Sequence, residues 1–226
     1  MRVMVIGGAG FIGHHLVKRL LSEDQEVVIY DNFSSGRHWH LTDVVSNPRL
    51  KVIEANVRDL PMLTEKMAGT DLVIHLASNP DIARAVKEPD IDFWEGTYLT
   101  QNVLEAMRVS GTRKILYSSG SGVYGETGRT EVDENYPMAP ISTYGASKLG
   151  CEALIRSYCH MFDMSGLAFR FANVVGPRQT HGVAHDFIRR LLEKPTHLDI
   201  LGDGRQSKSY IHVEDVIEAM LLAFRV

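Results

Sequence analysis

Three observations predict an α/β fold built on a doubly wound parallel sheet. Short runs of β-branched and aliphatic residues alternate with longer stretches of helical periodicity. Several of those runs lack a polar face, as strands covered on both sides must. A glycine-rich turn joins the first run to the first helical stretch, where an open parallel sheet forms its ligand crevice.

The elements follow in order. Residues 3–6 read as a first strand and residues 11–22 as the helix after the turn. Residues 26–30 form a second strand closing on Asp31, and residues 50–54 a third. Residues 71–76 form a fourth, apolar throughout its centre at Leu72, Val73 and Ile74. Residues 114–118 and 167–171 supply the fifth and sixth, with long helices expected at 91–110 and 144–163. Beyond Pro177 the pattern changes. Residues 185–193 read as helix, 198–201 as a short strand, and 213–224 as an apolar helix that calls for a surface to pack against. Repeats and low-complexity tracts are absent.

The 226 residues suffice for one full domain and part of a second. Hydrophobic residues at 44% and charged residues at 23% are ordinary for a soluble globular chain. A net charge of −4 gives no electrostatic case for nucleic acid or an anionic membrane. No apolar run approaches bilayer-spanning length, and the first six residues are too short for a signal peptide, so a cytoplasmic location is expected. Cys151 and Cys159 are expected as free thiols on one helix. Among the ten histidines only His181 and His185 stand four apart, and no cluster of ligands accompanies them in sequence, so no metal is expected.

Gly8, Gly10 and Gly13 match G-x-G-x-x-G, with Gly7 adding a further glycine. Alone the match is weak; between a strand and a helix at the start of a βαβ unit it is specific. Glycines let the backbone turn tightly against a pyrophosphate, and the next helix offers its unpaired N–H groups and positive dipole end. A carboxylate should close the second strand to bind the adenosine ribose hydroxyls, and Asp31 stands there. Its charge opposes a 2′-phosphate and so favours NAD over NADP, although Arg37 is close enough in sequence to leave NADP open. Further along, Tyr144 and Lys148 are four residues apart and share one helix face. A cation beside a phenol favours the phenolate, so the tyrosine can accept a proton.

These motifs resemble the extended short-chain dehydrogenase/reductase family, within it the NAD-dependent sugar-nucleotide epimerases and dehydratases, and there most of all the UDP-glucose/galactose 4-epimerases. The likeness rests on Gly7-Gly8-Ala9-Gly10-Phe11-Ile12-Gly13, Asp31-Asn32-Phe33-Ser34-Ser35-Gly36, His75-Leu76-Ala77-Ser78 and Ser118-Ser119-Gly120-Ser121-Gly122-Val123-Tyr124-Gly125. It continues through Tyr144 to Lys148, Arg170-Phe171-Ala172-Asn173-Val174-Val175-Gly176-Pro177, Gly202-Asp203-Gly204-Arg205-Gln206 and Tyr210-Ile211-His212-Val213-Glu214-Asp215. The resemblance implies a Rossmann domain over residues 1–176 and the beginning of a substrate lobe over 177–226.

By that resemblance Gly7, Gly10, Phe11, Ile12 and Gly13 cradle the cofactor, and Asp31, Asn32, Ser35 and Gly36 hold the adenosine ribose. Asn56 and Val57 flank the adenine. Leu76, Ala77, Ser78 and Ser118 line the phosphate and nicotinamide-ribose side. Tyr144 is the base, Lys148 bridges the nicotinamide ribose, and Phe171 and Ala172 approach the nicotinamide. Asn173 and Lys208 take the substrate diphosphate, and Tyr124 either contacts sugar or packs. The implied reaction oxidises the sugar C4 hydroxyl, lets the 4-keto sugar turn over, and returns the hydride to its other face. The implied partners are a UDP-sugar substrate and a second copy of the chain, joined through the helices at 91–110 and 144–163.

The sequence departs from the family at four places. The usual Ser or Thr four residues before the tyrosine of V-Y-G is Gly120, leaving Ser119, Ser121 or water to substitute. The paired asparagines after the fourth strand are Glu95-Gly96. The diphosphate-binding arginine is Lys208, which keeps charge but loses the bidentate fork. Family members also continue well past residue 226, so an incomplete lobe and a pocket open to water are expected. Two further readings follow. A 4,6-dehydratase would need an acidic pair where Ser121 and Gly122 stand, and a reductase would favour NADPH, which Asp31 opposes. An NAD-binding chain with impaired catalysis is favoured by Gly120, Glu95-Gly96 and the early stop, and opposed by the glycine turn and the Tyr144–Lys148 pair.

Overall fold

The computed structural model describes residues 1–79, 81–128, 131–200 and 203–225. Six strands make one wholly parallel sheet: β1 (Arg2–Ile6), β2 (Glu26–Asp31), β3 (Leu50–Glu54), β4 (Leu72–His75), β5 (Lys114–Gly120) and β6 (Ser165–Phe171). Their order is β3-β2-β1-β4-β5-β6, so the winding reverses between β1 and β4. Crevices that take ligands open at such a switch point, beyond the carboxyl ends of the strands.

The apolar strands divide their side chains between two cores, as the alternation of a pleated strand requires. Met4, Ile6, Val28 and Tyr30 face α2 (Leu60–Met67), α3 (Tyr98–Ser110) and α4 (Thr143–Phe162). Val3, Val5, Val27 and Ile29 face α1 (Phe11–Ser22) and α6 (Val213–Arg225). Leu16, Val17, Leu20 and Leu21 recur at helical spacing on α1, and all four are buried. Truncating one of them to alanine would cost about 2–5 kcal/mol.

Local chemistry sets the helix ends. Ser142 caps α4 by accepting a hydrogen bond from the Gly145 N–H at 3.0 Å. Asp59 caps α2 through the Met62 N–H, just ahead of Pro61. Gly111, at φ +82°, closes α3 in the left-handed conformation open to glycine.

Three outcomes differ from the sequence reading. The helix expected at 91–110 is a π-helical turn at Phe93–Thr97 followed by α3. The turn brings Gly96 against α4, where a Cβ would lie 2.2 Å from the Ser147 hydroxyl oxygen. The strand expected at 198–201 does not form over residues 198–200, and Leu201 and Gly202 lie outside the described residues. A short two-stranded parallel sheet stands in that half instead, with β7 (Asn173–Val175) beside β8 (Tyr210–His212). The apolar last helix finds its surface within the chain, because Val213, Val216, Ile217, Met220 and Leu221 of α6 are buried, and α6 packs on α1 and β6. In contrast α5 (Val183–Glu193) buries none of its residues. No helix among the described residues is long and apolar enough to cross a membrane.

Candidate active site

The glycine turn leads from β1 directly into α1. Gly7 adopts φ +82°, and a Cβ there would lie 2.8 Å from the Ala77 nitrogen beyond β4. Its N–H donates to the Tyr30 carbonyl at 3.0 Å, so the turn is pinned between β2 and β4. A Cβ on Gly13 would stand 2.4 Å from the Gly7 oxygen, which fixes α1 hard against the turn. No side chain caps α1 and no acidic residue occupies its first turn. The helix therefore presents its N-terminal N–H groups and dipole to whatever anion enters.

Asp31 ends β2 and is buried. One carboxylate oxygen accepts from the Ala9 N–H at 2.9 Å and the other from the Phe33 N–H at 2.8 Å. Burial nevertheless raises its pKa, outweighing those two bonds. The Asn32 side chain accepts from the Ser34 N–H and hydroxyl, which folds the loop back on itself. Facing this loop is a groove lined by Asn32, Ser34, Ser78, Asn79, Arg84 and Glu95.

At the far side of the crevice β5 runs on to Gly120, two residues beyond the sequence expectation, and α4 lies across its end. Lys148 is buried and donates from Nζ to the Ser118 carbonyl at 2.7 Å. Its ammonium lies 4.9 Å from the Tyr117 ring centroid and 5.5 Å from that of the half-buried Tyr144. Behind it, His75 is held neutral, its pKa lowered to about 3 by burial and then by the Lys148 charge. Burial likewise pushes the Tyr117 phenol well up. The arrangement puts a phenol beside an ammonium at the carboxyl end of β5, the same end of the parallel sheet at which α1 begins without a cap. Such a site can move a proton next to a bound dinucleotide.

The profile of the NAD dependent epimerase/dehydratase family matches residues 3–226. The chain belongs to that family. Among its relatives, a putative UDP-glucose 4-epimerase of Methanocaldococcus jannaschii is 36% identical over 98% of this chain and 72% of its own length. A crystal structure of a UDP-galactose 4-epimerase superposes with a TM-score of 0.89 at 40% identity, over 100% of this chain and 72% of that one. A dTDP-glucose 4,6-dehydratase from Streptomyces venezuelae, solved with NAD and DAU bound, gives 0.95 at 28% identity, over 99% and 72%.

NAD is the cofactor of this member of the NAD dependent epimerase/dehydratase family, and the residues present fit it. The uncapped end of α1 suits a pyrophosphate. Asp31 offers a buried carboxylate with lone pairs left over after two backbone bonds, and ribose hydroxyls would supply the missing donors. Gly36 keeps the loop close, since a Cβ there would stand 3.0 Å from the Asp31 oxygen.

The remaining sequence candidates fall as follows. Gly10 is the N-cap residue of α1, with Phe11 and Gly13 buried and Ile12 half-buried behind it. Ser35 is exposed on the Asp31 loop. Asn56 turns its side chain onto the Arg58 N–H at 2.9 Å, and Val57 is buried in the core with its carbonyl accepting from Asn102. Leu76, Ala77 and Ser78 follow β4, half-buried, beside the turn. Ser119 is buried and donates to Glu152 at 2.5 Å, whereas Ser121 is exposed. Tyr124 is buried with its hydroxyl accepting from Arg170 at 3.0 Å. Phe171 stacks on Phe169, and Ala172 bridges β6 and β7. Asn173 donates to the Ser209 carbonyl at 3.0 Å, next to the exposed Lys208. Glu95 pairs with Arg58 at 2.6 Å.

Sequence reasoning missed Asp92, buried between Asn79 of that groove and α4. Its carboxylate accepts from Asn79 at 2.9 Å and from Thr143 at 2.7 Å, and its carbonyl accepts from Ser147 at 2.7 Å. Nothing local marks it, because its partners are 13 to 55 residues away.

Proposed function

We propose that the chain is a UDP-hexose 4-epimerase acting through a transient 4-keto sugar. The observation that carries this is the Tyr144–Lys148 pair at the end of β5, facing the crevice of an NAD-binding turn. Bound NAD supplies the reversible hydride acceptor. Tyr144 takes the proton of the C4 hydroxyl as C4 gives up its hydride. It returns that proton after the keto sugar has turned over and the hydride has come back to the opposite face. Lys148 holds the nicotinamide ribose and favours the phenolate. Asp31, Asn32, Ser35 and Gly36 hold the adenosine ribose, and Asn56 and Val57 lie by the adenine. Ser121 supports the reacting hydroxyl in place of a residue at Gly120, because the Ser119 hydroxyl is engaged by Glu152. Asn173 and Lys208 take the diphosphate, and Tyr124 serves the packing of its turn. A cytoplasmic homodimer, joined through α3 and α4 where Val109 and Met161 are exposed, completes the reading.

An elimination of water is disfavoured because Ser121 and Gly122 carry no acid. The second reading, NAD binding without turnover, is favoured by Gly120 and by Glu95-Gly96. The test is purification followed by cofactor analysis and an assay of UDP-glucose/UDP-galactose interconversion. Tyr144→Phe should lower kcat by about 10²–10⁴-fold while NAD stays bound. Bound NAD with no turnover of any sugar nucleotide would favour the second reading.

A further inference from the structure

Beside the proton-transfer pair lies an ion pair that the reaction above does not use. Arg170 of β6 and Glu152 of α4 have side chains only 17% and 12% exposed. Arg170 donates from Nε to both Glu152 oxygens, at 3.1 and 3.2 Å, and from Nη2 to one of them at 2.8 Å. Its Nη1 donates to the Tyr124 hydroxyl and the Glu134 carbonyl, both at 3.0 Å, and its Nη2 also meets the Met138 sulfur at 3.0 Å. All five guanidinium donors thus have partners. Glu152 in turn accepts from the Ser119 hydroxyl, and Ser119 is the strand partner of Arg170 across β5 and β6.

Taking an ion pair this far out of water returns little net stability, because desolvation offsets most of the attraction. What such a pair can supply is geometry. Tyr144, Lys148 and Glu152 are spaced four apart on α4, so they lie along one face. Lys148 grips the end of β5 at the Ser118 carbonyl, and Glu152 grips it one residue later, at the Ser119 hydroxyl. The Glu134 and Met138 contacts fix the segment that runs into the Ser142 cap, two residues before Tyr144.

We propose that Arg170 and Glu152 are positioning residues, a clamp that sets how α4 carries Tyr144 and Lys148 against the end of β5. Neither touches substrate or cofactor; they act through the register of the helix. The inference rests on the epimerase reading only for its kinetic consequence.

The test uses the full chain with NAD bound and four variants: Ser119→Ala, Arg170→Lys, Glu152→Gln and Glu152→Asp. Ser119→Ala removes one contact and leaves the ion pair, and Arg170→Lys keeps the charge but loses the five-donor fork. The expected result for Arg170→Lys is a kcat about ten- to a hundredfold lower, with KM changed less than about twofold and a displaced kcat–pH profile. Ser119→Ala should show the same pattern more weakly, with a modestly lowered melting temperature and the chain still fully folded at the assay temperature. Glu152→Gln should be the most severe, and Glu152→Asp should recover part of the loss. Crystals of NAD-loaded Arg170→Lys should show the Lys148–Ser118 contact opened beyond hydrogen-bond reach. Unchanged kcat with that contact kept at 2.7 Å overturns the proposal. So does a kcat loss matched by loss of folded protein. If the unaltered chain interconverts no sugar nucleotide, the epimerase reading fails by itself, and the Lys148–Ser118 contact in the variant still decides the clamp.

Discussion

Two glycines illustrate opposite uses of a missing Cβ. Gly13 has none because a side chain would run into the Gly7 oxygen at 2.4 Å and the Gly8 backbone at 2.7 Å. Gly13→Ala should separate α1 from the turn, destabilise the fold by about 1–3 kcal/mol and release NAD, read by thermal melting and by cofactor content after purification. Gly120 is free of such pressure. Its φ of −164° is extended backbone that any residue adopts, and a Cβ would meet nothing nearer than the Phe171 oxygen at 3.9 Å. Gly120→Ser should therefore change stability by less than about 0.5 kcal/mol. It should also raise kcat by supplying the hydroxyl that the family resemblance leads one to expect at this position. Initial rates of UDP-hexose interconversion check this, and an unchanged rate would show that Gly120 is no handicap. Gly96 belongs with Gly13, because its neighbour Ser147 Oγ is tied to the Asp92 carbonyl at 2.7 Å and to Thr97 at 3.0 Å and cannot give way cheaply.

At the scale of elements, α1 does two jobs. Its uncapped start is the end proposed to take the cofactor, and its fourth residue, His14, is buried. The His14 ring lies parallel to that of His40 at 4.2 Å, with Nδ1 on the Gly10 carbonyl and Nε2 buried without a partner. Burial, then the neighbouring His15, lowers its pKa to about 4, below the ordinary 6.5. His75 on β4 is lowered further, to about 3. Both groups bind protons more readily unfolded than folded. Their contribution to stability is therefore full above about pH 6.5 and is lost as the pH falls towards those values. Urea midpoints measured from about pH 7.5 down to pH 5 should fall, and His14→Phe should flatten that slope by keeping a stacked ring that cannot titrate. Which elements form was legible from the sequence where the signal is local. The helix Phe11–Ser22 and the strand Leu50–Glu54 stand where periodicity put them. The three-residue strands β7 and β8 were illegible because each exists only through a partner more than thirty positions away. The glycine turn and the Tyr144–Lys148 pair were legible for the same local reason. Asp92 and the partners of Ser119 were hidden, because they are set by how α4 lies on the sheet.

At the scale of the whole molecule, the proposed cofactor site is where separate parts meet. The turn after β1 hangs from the Tyr30 carbonyl of β2 and abuts Ala77 beyond β4, and Asp31 reaches back to hold the Ala9 N–H. NAD bound there should tighten the sheet at its switch point and raise the melting temperature, by linkage worth about 2.7 kcal/mol at a hundredfold excess over Kd. The pH dependence has a definite sign. Asp31 has a folded-state pKa raised above its ordinary 3.8 by burial. In the free protein this group thus favours folding most at low pH, and that contribution is lost as pH rises through the raised value. Ribose hydroxyls donate more strongly to the ionised carboxylate than to the neutral acid, so binding favours loss of the proton. NAD affinity should consequently weaken as pH falls through the raised value, within the range where far-UV circular dichroism shows the chain still folded. Asp31→Asn removes both the charge and the titration. It should cost about ten- to a hundredfold in NAD affinity at neutral pH, the loss of hydrogen bonds to a charged group, and should leave the remaining affinity flat with pH. Calorimetric titration of the two proteins at several pH values separates the outcomes. A slope shared by both would move the titrating group away from Asp31, and an affinity unaffected by Asp31→Asn would take the ribose out of its reach.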